Sequence, residues 1–295
     1  MPFESAAKIL KHAYEHHYAV GYFESWDLVS IQGVLDAAEQ SQSPIIIGFS
    51  GDFLTNPERE AEEHIEMYGA LARAAADTAR VPCAAILNEC PRSDWVKQAM
   101  VSGFNLVMFS DHDAPYEDYV KQVANLCELA HSKGVAMEAE VGELSSGDPR
   151  FGTVKAAPSD PQVVFDFVKR TQVDVVSVSV GNVHVMTTGQ TELDLERLKL
   201  ISEKVKIPLV LHGGSGIAPE SLRQAIDFGV SKVNYGTYLK QRYLSAVRSA
   251  LQNRNVNPHH LLGYGGKEDV LTIGRRAVRD AVLERIGLLG CCGKA

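Results

Sequence analysis

Two histidines and one glutamate stand at positions from which they could bind a metal ion together. His184 and His212 each follow a short apolar segment, and Glu89 follows an earlier one. Two imidazoles and one carboxylate suit Zn²⁺ with an open coordination position, and also Fe²⁺ or Mn²⁺. The simpler alternative, that each histidine is a hydrogen-bonded core residue, is weaker for two histidines at adjacent strand ends beside glycines. The sequence therefore predicts a divalent metal site at Glu89, His184 and His212, with Zn²⁺ as the expected ion.

A glycine-rich segment directly follows His212 and precedes a helix predicted to begin near Pro219. Glycines expose backbone N–H groups, and the N-terminus of a following helix attracts an anion. A plain glycine turn is the alternative, since such turns are common. The expected ligand is a phosphorylated small molecule. We assign to its binding Gly213, Gly214, Ser215, Asn234 and Thr237, together with Ser50 at the end of an earlier apolar segment.

Short apolar segments alternate along the whole chain with longer segments of helical periodicity. Several of the short segments are continuously apolar, as expected of strands that are buried on both faces of a parallel sheet. Eight strands in a strand-then-helix order favour a closed barrel over an open sheet. The sequence thus predicts an α/β fold, a parallel (β/α)8 TIM barrel forming a single domain over residues 1–295. The predicted strands are residues 18–23, 45–49, 83–87, 106–109, 136–140, 173–180, 208–211 and 232–235.

Composition excludes several classes of partner. The net charge of -8 argues against nucleic acid, because a phosphate backbone requires a basic surface. No apolar run is long enough to span a membrane, and the N-terminus lacks the apolar core of a signal peptide. The five cysteines form no C-x-x-C pair, which is typical of a reduced chain. We therefore expect a cytoplasmic protein.

With these residues in view, the chain resembles the zinc-dependent class II fructose-bisphosphate and tagatose-bisphosphate aldolases over nearly its whole length. The strongest landmarks are Gly-Asn-Val-His at 181–184, Leu-His-Gly-Gly-Ser-Gly at 211–216 and Lys-Val-Asn-Tyr-Gly-Thr at 232–237. The resemblance implies that the histidines bind zinc, and that the second and third segments bind the phosphate of dihydroxyacetone phosphate. It also implies a homodimer or homotetramer.

The chain departs from the family where the chemistry occurs. After the third strand the family has an Asp-His pair, the proton-transferring acid and a zinc ligand, whereas this chain has Asn88 and Glu89. An amide cannot exchange a proton at neutral pH, although it can hydrogen-bond a hydroxyl or carbonyl. After the first strand Glu24 stands where the family often has Asn. We expect Asn88 to contact the substrate and the role of the acid to pass to Asp111, His112 or Glu143.

The resemblance and its departures predict a metal-dependent, class II aldolase-like lyase. Its substrate would be a phosphorylated ketose or a related sugar acid, and it would not be an efficient fructose-bisphosphate aldolase. Two alternatives stay open. One is an isomerase or epimerase that uses the same enediolate, and the other is a paralogue that binds sugar phosphate without turnover.

Overall fold

Eight parallel strands close into a barrel in this protein. The structure is a computed structural model that describes residues 2–142, 145–146, 157–184, 189–252 and 257–295. The strands pair in the order β1-β8-β7-β6-β5-β4-β3-β2, and β2 closes the barrel on β1. Their bounds are β1 Val20–Glu24, β2 Ile45–Ser50, β3 Cys83–Cys90, β4 Leu106–Phe109, β5 Ala136–Val141, β6 Val175–Val178, β7 Leu209–Leu211 and β8 Val230–Tyr235.

Helices surround the barrel and connect successive strands. Apolar residues recur at helical spacing, so that each long helix buries one face against the strands. In the described part of the chain the helices are α1 Ala6–Glu15, α2 Leu28–Ser41, α3 Gly51–Leu54, α4 Ile65–Thr78, α5 Ser93–Ser102, α6 Tyr116–Ser132, α7 Pro161–Thr171, α8 Leu195–Val205, α9 Pro219–Asp227, α10 Thr237–Ala250, α11 Pro258–Leu261 and α12 Val270–Leu289. None of these described helices is both long and apolar enough to cross a membrane.

The strands are buried over nearly their whole length, which explains their continuous apolar character. Every residue of β2 and of β5 is buried. Apolar side chains fill the barrel towards the amino ends of the strands, whereas buried polar side chains accumulate towards the carboxyl ends. That end of a parallel barrel is where the loops that follow the strands form a ligand site.

The predicted barrel and all eight predicted strands are confirmed. The boundary that matters most for function is the end of β3. This strand continues to Cys90, three residues beyond its predicted end, and its pairing with β4 shifts register between Leu87 and Cys90. Asn88 and Glu89 therefore belong to a bulged strand and not to the loop that follows it.

Candidate active site

Three side chains from three different strand ends converge at the mouth of the barrel. Glu89 lies at the end of β3, His212 directly follows β7, and His184 belongs to a short segment that pairs with residues 145–146. Glu89 Oε1 is 2.8 Å from His212 Nδ1 and 3.1 Å from His184 Nε2. One ligand atom from each residue lies within 4.8 Å of the other two. The structure thus brings the three predicted metal ligands together.

The backbone of Glu89 is strained in a way that directs its carboxylate. Its φ angle is +48°, in the left-handed region, at the bulge of β3. A residue with a Cβ pays about 1–2 kcal/mol for this conformation. Bulges commonly redirect a side chain next to an active site. Here the bulge aims the carboxylate at the two imidazoles, so the strain accompanies the convergence of the three ligands.

His212 Nδ1 is a buried polar atom without a hydrogen bond among the described residues. Glu89 Oε1 and Glu140 Oε2 lie 2.8 Å and 3.2 Å from it, but neither contact has hydrogen-bond geometry. The His184 ring is stacked nearly parallel to that of His212, at 5.4 Å between ring centroids. A buried nitrogen with two close, unaligned carboxylate oxygens is the arrangement that a shared cation satisfies. These residues therefore fit a divalent metal.

The electrostatics of the cluster also favour a cation. Burial raises the pKa of the Glu89 carboxyl, but the charges of His184 and His212 lower it more strongly, so this pKa ends well below its ordinary value. Burial lowers the pKa of His212, whereas Glu89 and Glu138 raise it to about 10. The surrounding carboxylates thus raise the pKa of both imidazoles. A divalent ion would take the place of ring protons on binding.

A buried ion pair lies beneath His212 and orients its ring. Glu138 Oε1 is 3.2 Å from His212 Nε2, and Glu138 Oε2 is 2.8 Å from Lys232 Nζ. Glu138 and Lys232 are both fully buried. A carboxylate on one imidazole nitrogen fixes the tautomer that leaves the other nitrogen free to bind metal. Lys232 balances the charge of Glu138, because burial of an unpaired carboxylate would be costly.

Asn88 lies at the centre of the barrel mouth, in contact with one of the predicted phosphate ligands. Asn234 Nδ2 donates a 3.4 Å hydrogen bond to Asn88 Oδ1, and Asn234 Oδ1 accepts one of 2.7 Å from Lys232. Asn234 therefore points at Asn88 and the barrel axis. Ser50 pairs with Asn88 in the sheet, and its buried hydroxyl accepts a hydrogen bond from Phe53 N at the start of α3.

The glycine-rich segment after β7 packs tightly between two neighbours. Gly213 has a φ angle of +67°, and a Cβ there would overlap the carbonyl oxygen of Val183. A Cβ at Gly214 would overlap the side chain of Val233 on β8. The backbone N–H groups of Gly214 and Ser215 donate no hydrogen bond to the described part of the chain. Close packing thus leaves free donors beside the end of β8.

A second set of free donors lies at the N-terminus of α10. This helix begins at Thr237, and Gly236 precedes it without any side-chain cap. The first N–H groups of a helix have no partner within the helix. Because Gly214 contacts the end of β8, the turn and the start of α10 are neighbours. Together they bring unpartnered N–H groups side by side, an arrangement that suits an anion.

Asp111 is part of the turn that follows β4. Its Oδ1 accepts a 3.2 Å hydrogen bond from Asp113 N, and the neighbouring His112 is exposed, with Nε2 2.9 Å from Ser110 Oγ. Asp111 borders a cavity that Glu140 also lines, so it lies on the β4–β5 side of the mouth. Glu143, the other predicted acid, falls outside the residues that the structure describes.

Comparison with known proteins places the chain in a family. The profile of "Fructose-bisphosphate aldolase class-II" matches residues 4–294. The chain belongs to the class II fructose-bisphosphate aldolase family. It is thereby an aldolase-type lyase, and the predicted resemblance is confirmed.

Individual members of this family share the fold but carry different names. The chain is 32% identical to the 6-phospho-5-dehydro-2-deoxy-D-gluconate aldolase of Halalkalibacterium halodurans, over 95% of this chain and 96% of that one. It is 31% identical to the fructose-bisphosphate aldolase of Geobacillus stearothermophilus, over 100% and 99%. A crystal structure of the YdjI aldolase from Escherichia coli K12 superposes with a TM-score of 0.80, at 28% identity over 99% of each chain.

Sequence reasoning about this class II aldolase missed the roles of two residues. Glu138 and Lys232 were visible only as parts of strands, although both are charged residues within apolar segments. Glu138 and Glu140 are two residues apart, as are Lys232 and Asn234, so each pair points to the same side of its strand. Polar pairs at that spacing, each with at least one charged member, were the available signal in these buried strands for a polar barrel interior.

Proposed function

We propose that the protein is a metal-dependent class II aldolase that cleaves or forms a carbon–carbon bond in a phosphorylated ketose or related sugar acid. The unaligned, buried Nδ1 of His212 between Glu89 and Glu140 is the observation that carries this proposal. A divalent ion held by Glu89, His184 and His212 would polarise the substrate carbonyl and stabilise the enediolate. Zn²⁺ is the first candidate.

The residues around this centre supply binding and orientation. The free N–H groups of Gly214, Ser215 and the first turn of α10 would bind the phosphoryl group, with the Thr237 hydroxyl beside them. The amides of Asn88 and Asn234 lie between the phosphate site and Glu89, so they would hydrogen-bond the oxygens of the carbons that react. Contacts with the phosphoryl group and with the oxygens of the reacting carbons would together hold the substrate in one orientation.

Fructose 1,6-bisphosphate is not the expected substrate. Cleavage requires a base that takes a proton from a hydroxyl, and Asn88 cannot do so. Glu89 is committed to the metal, and its negative charge would reduce the Lewis acidity of the ion. Asn88 is also the observation that favours the alternative of a binding protein without turnover. The same scaffold would serve an isomerase or epimerase through the same enediolate.

The proposal is tested by ligand binding and turnover together. Inorganic phosphate or dihydroxyacetone phosphate should raise the melting temperature, because a ligand at 100 times its Kd stabilises a protein by about 2.7 kcal/mol. Thr237→Val should weaken this shift, whereas Thr78→Val, at the C-terminal end of α4, should not. Metal-loaded protein should join dihydroxyacetone phosphate to one or more aldehydes of a panel.

A melting temperature that does not change with added phosphate or dihydroxyacetone phosphate contradicts the phosphate site. Binding without product across the panel favours the non-catalytic alternative, and rearrangement without a second carbonyl product favours the isomerase.

A further inference from the structure

The proton-transfer step lacks an obvious residue, since Asn88 carries an amide. Three carboxylates near the proposed metal are already engaged. Glu89 faces both imidazoles, Glu138 pairs with Lys232, and Glu140 Oε2 lies 3.2 Å from His212 Nδ1. A group that exchanges a proton with a substrate hydroxyl must instead be free to approach the substrate from another wall of the mouth.

Glu24 occupies such a position at the end of β1. Tyr22, two residues earlier, is buried and pairs with Asn234 of β8, so Glu24 points to the same side one step higher. It pairs with Gly48 of β2, and Gly236, directly after β8, leaves the space for its carboxylate, since a Cβ there would collide with Glu24 Oε2. The Glu24 carboxylate is therefore the side chain that fills this stretch of the barrel wall.

One ion pair holds Glu24 in place. Lys240 Nζ donates a 2.6 Å hydrogen bond to Glu24 Oε1, and the same ammonium lies 4.0 Å above the ring of Phe53. Lys240 is one turn beyond Thr237 in α10, on the face of the helix that carries the predicted phosphate ligand. Only 12% of the Glu24 side chain is exposed, and Glu24 Oε2 rests against Gly236. The carboxylate is thus anchored by one oxygen at the edge of the phosphate site.

The electrostatic environment of Glu24 agrees with a role in proton transfer. Burial raises the pKa of its carboxyl above the ordinary value even though Lys240 acts in the opposite direction. Glu89 raises this pKa further and His184 lowers it, so Glu24 senses the charges of the proposed metal site. A carboxyl with a raised pKa is a better proton carrier near neutral pH than an ordinary one.

We propose that Glu24 is the catalytic residue that exchanges a proton with the substrate hydroxyl, a step that Asn88 cannot perform. Lys240 positions the Glu24 carboxylate. This inference rests on the function proposed above. It follows from the flanking glycines, the anchored oxygen and the register that sets Glu24 one step above the Asn234–Asn88 contact.

The step balances without any further reactant. In cleavage, the ionised Glu24 carboxylate takes the proton of the hydroxyl on C4. The O–H electron pair forms the C4 carbonyl, the C3–C4 bond breaks, and its electrons pass to the C2 oxygen to give the enediolate. Glu24 is then a neutral carboxylic acid. In synthesis, this acid returns the proton to the new C4 alkoxide as the C3–C4 bond forms.

Two other described carboxyls near the mouth are weaker candidates. The Asp52 side chain is exposed on the short helix α3, and among the described residues no hydrogen bond or ion pair holds it over the mouth. Asp111 accepts a hydrogen bond from its own turn on the β4–β5 side, away from β8 and the phosphate donors. Asp52 serves as the matched control, because it is a carboxyl at the same end of the barrel.

The test separates the two halves of the aldol reaction in metal-loaded protein. Exchange of the C3 hydrogen of dihydroxyacetone phosphate with D₂O, followed by NMR, reports enediolate formation alone. Aldol turnover with glycolaldehyde or glyceraldehyde requires the hydroxyl proton as well. Glu24→Gln should lower aldol turnover by about 10²-fold or more, leave C3 exchange within about threefold and change the KM for dihydroxyacetone phosphate little. Glu24→Asp should recover part of the turnover, and Asp52→Asn should keep it.

Three outcomes would overturn the inference. Aldol turnover by Glu24→Gln close to that of the wild type would do so, and so would an equal loss of exchange and turnover, which would indicate a role in binding. Wild-type protein that neither exchanges nor condenses would contradict the proposed function and, with it, this assignment. If Glu24→Gln alone fails to fold because Lys240 loses its partner, the double variant Glu24→Gln with Lys240→Met removes both charges. The same assays are then made on the double variant.

Discussion

Asn88 and Glu89 are the residues at which this chain differs most consequentially from the Asp-His pair predicted by its resemblance to the class II aldolases. The structure gives each a defined environment, Asn88 against Asn234 and Glu89 against the two histidines. Both side chains reach the centre of the site, so their identities should control the reaction directly. A change of residue type here alters chemistry without disturbing the barrel.

We predict that wild-type protein cleaves fructose 1,6-bisphosphate poorly and that Asn88→Asp raises the rate. A positioned acid or base contributes about 10²–10⁴-fold, and an aspartate at this place would face the substrate beside Asn234. Adding Glu89→His should raise the rate further, because ligand and acid act as one unit. Steady-state assays of the two variants provide the measurement. Wild-type turnover of about 1–10³ per second on this substrate would contradict the prediction.

Glu89 and Glu24 mark the limit of what the sequence predicts about the site. The types of Glu89, His184 and His212 and their places after apolar segments were sufficient to predict that these three side chains converge. The strained φ angle of Glu89 was not foreseeable, since a bulge depends on how β3 pairs with β4. The role of Glu24 was equally hidden, because the space for its carboxylate comes from Gly236, which follows a different strand.

At the scale of elements, the short segment that carries His184 depends on the turn after β7. A Cβ at Gly213 would overlap the Val183 carbonyl oxygen, and Gly213 itself has a φ angle of +67°. We predict that Gly213→Ala displaces this segment and weakens metal binding by tenfold or more, measured by competition with a chelating dye.

Gly134→Ala is the matched control for that variant. Gly134 has a nearly identical φ angle of +70°, but nothing lies within 4 Å of a Cβ placed there. It should therefore cost only the strain of the left-handed conformation, about 1–2 kcal/mol, and leave metal affinity unchanged. Equal metal affinities for Gly213→Ala and Gly134→Ala would show that the turn does not position His184.

A second element-scale prediction concerns the ion pair between β5 and β8. Lys232→Met should lower the free energy of unfolding by about 3–5 kcal/mol, because it removes the ammonium that balances the buried Glu138 charge and leaves the carboxylate only its contact with His212. Lys232→Met with Glu138→Gln should recover much of this loss by removing the stranded charge. Urea unfolding followed by circular dichroism measures both. If the free energy of unfolding of Lys232→Met lies within about 1 kcal/mol of the wild-type value, another group compensates the charge of the Glu138 carboxylate.

For the whole molecule, the sequence was most informative about architecture. Eight apolar segments in a strand-then-helix order predicted the closed barrel, because continuous burial of parallel strands leaves a strong local pattern. Pairs such as Asn88 with Asn234 are 146 positions apart, and no local pattern reports a contact across a barrel. The predicted homodimer or homotetramer stays a prediction for solution measurements to decide.

The metal content of the purified protein tests the central claim most directly. After dialysis against buffered Zn²⁺ or Mn²⁺ and then against metal-free buffer, elemental analysis should find about one divalent ion per chain of wild type. His212→Ala should lose that ion, whereas His112→Ala, which alters an exposed histidine at the mouth, should retain it. Wild-type protein without bound metal, or His212→Ala with the same content as wild type, would contradict a metal centre at Glu89, His184 and His212.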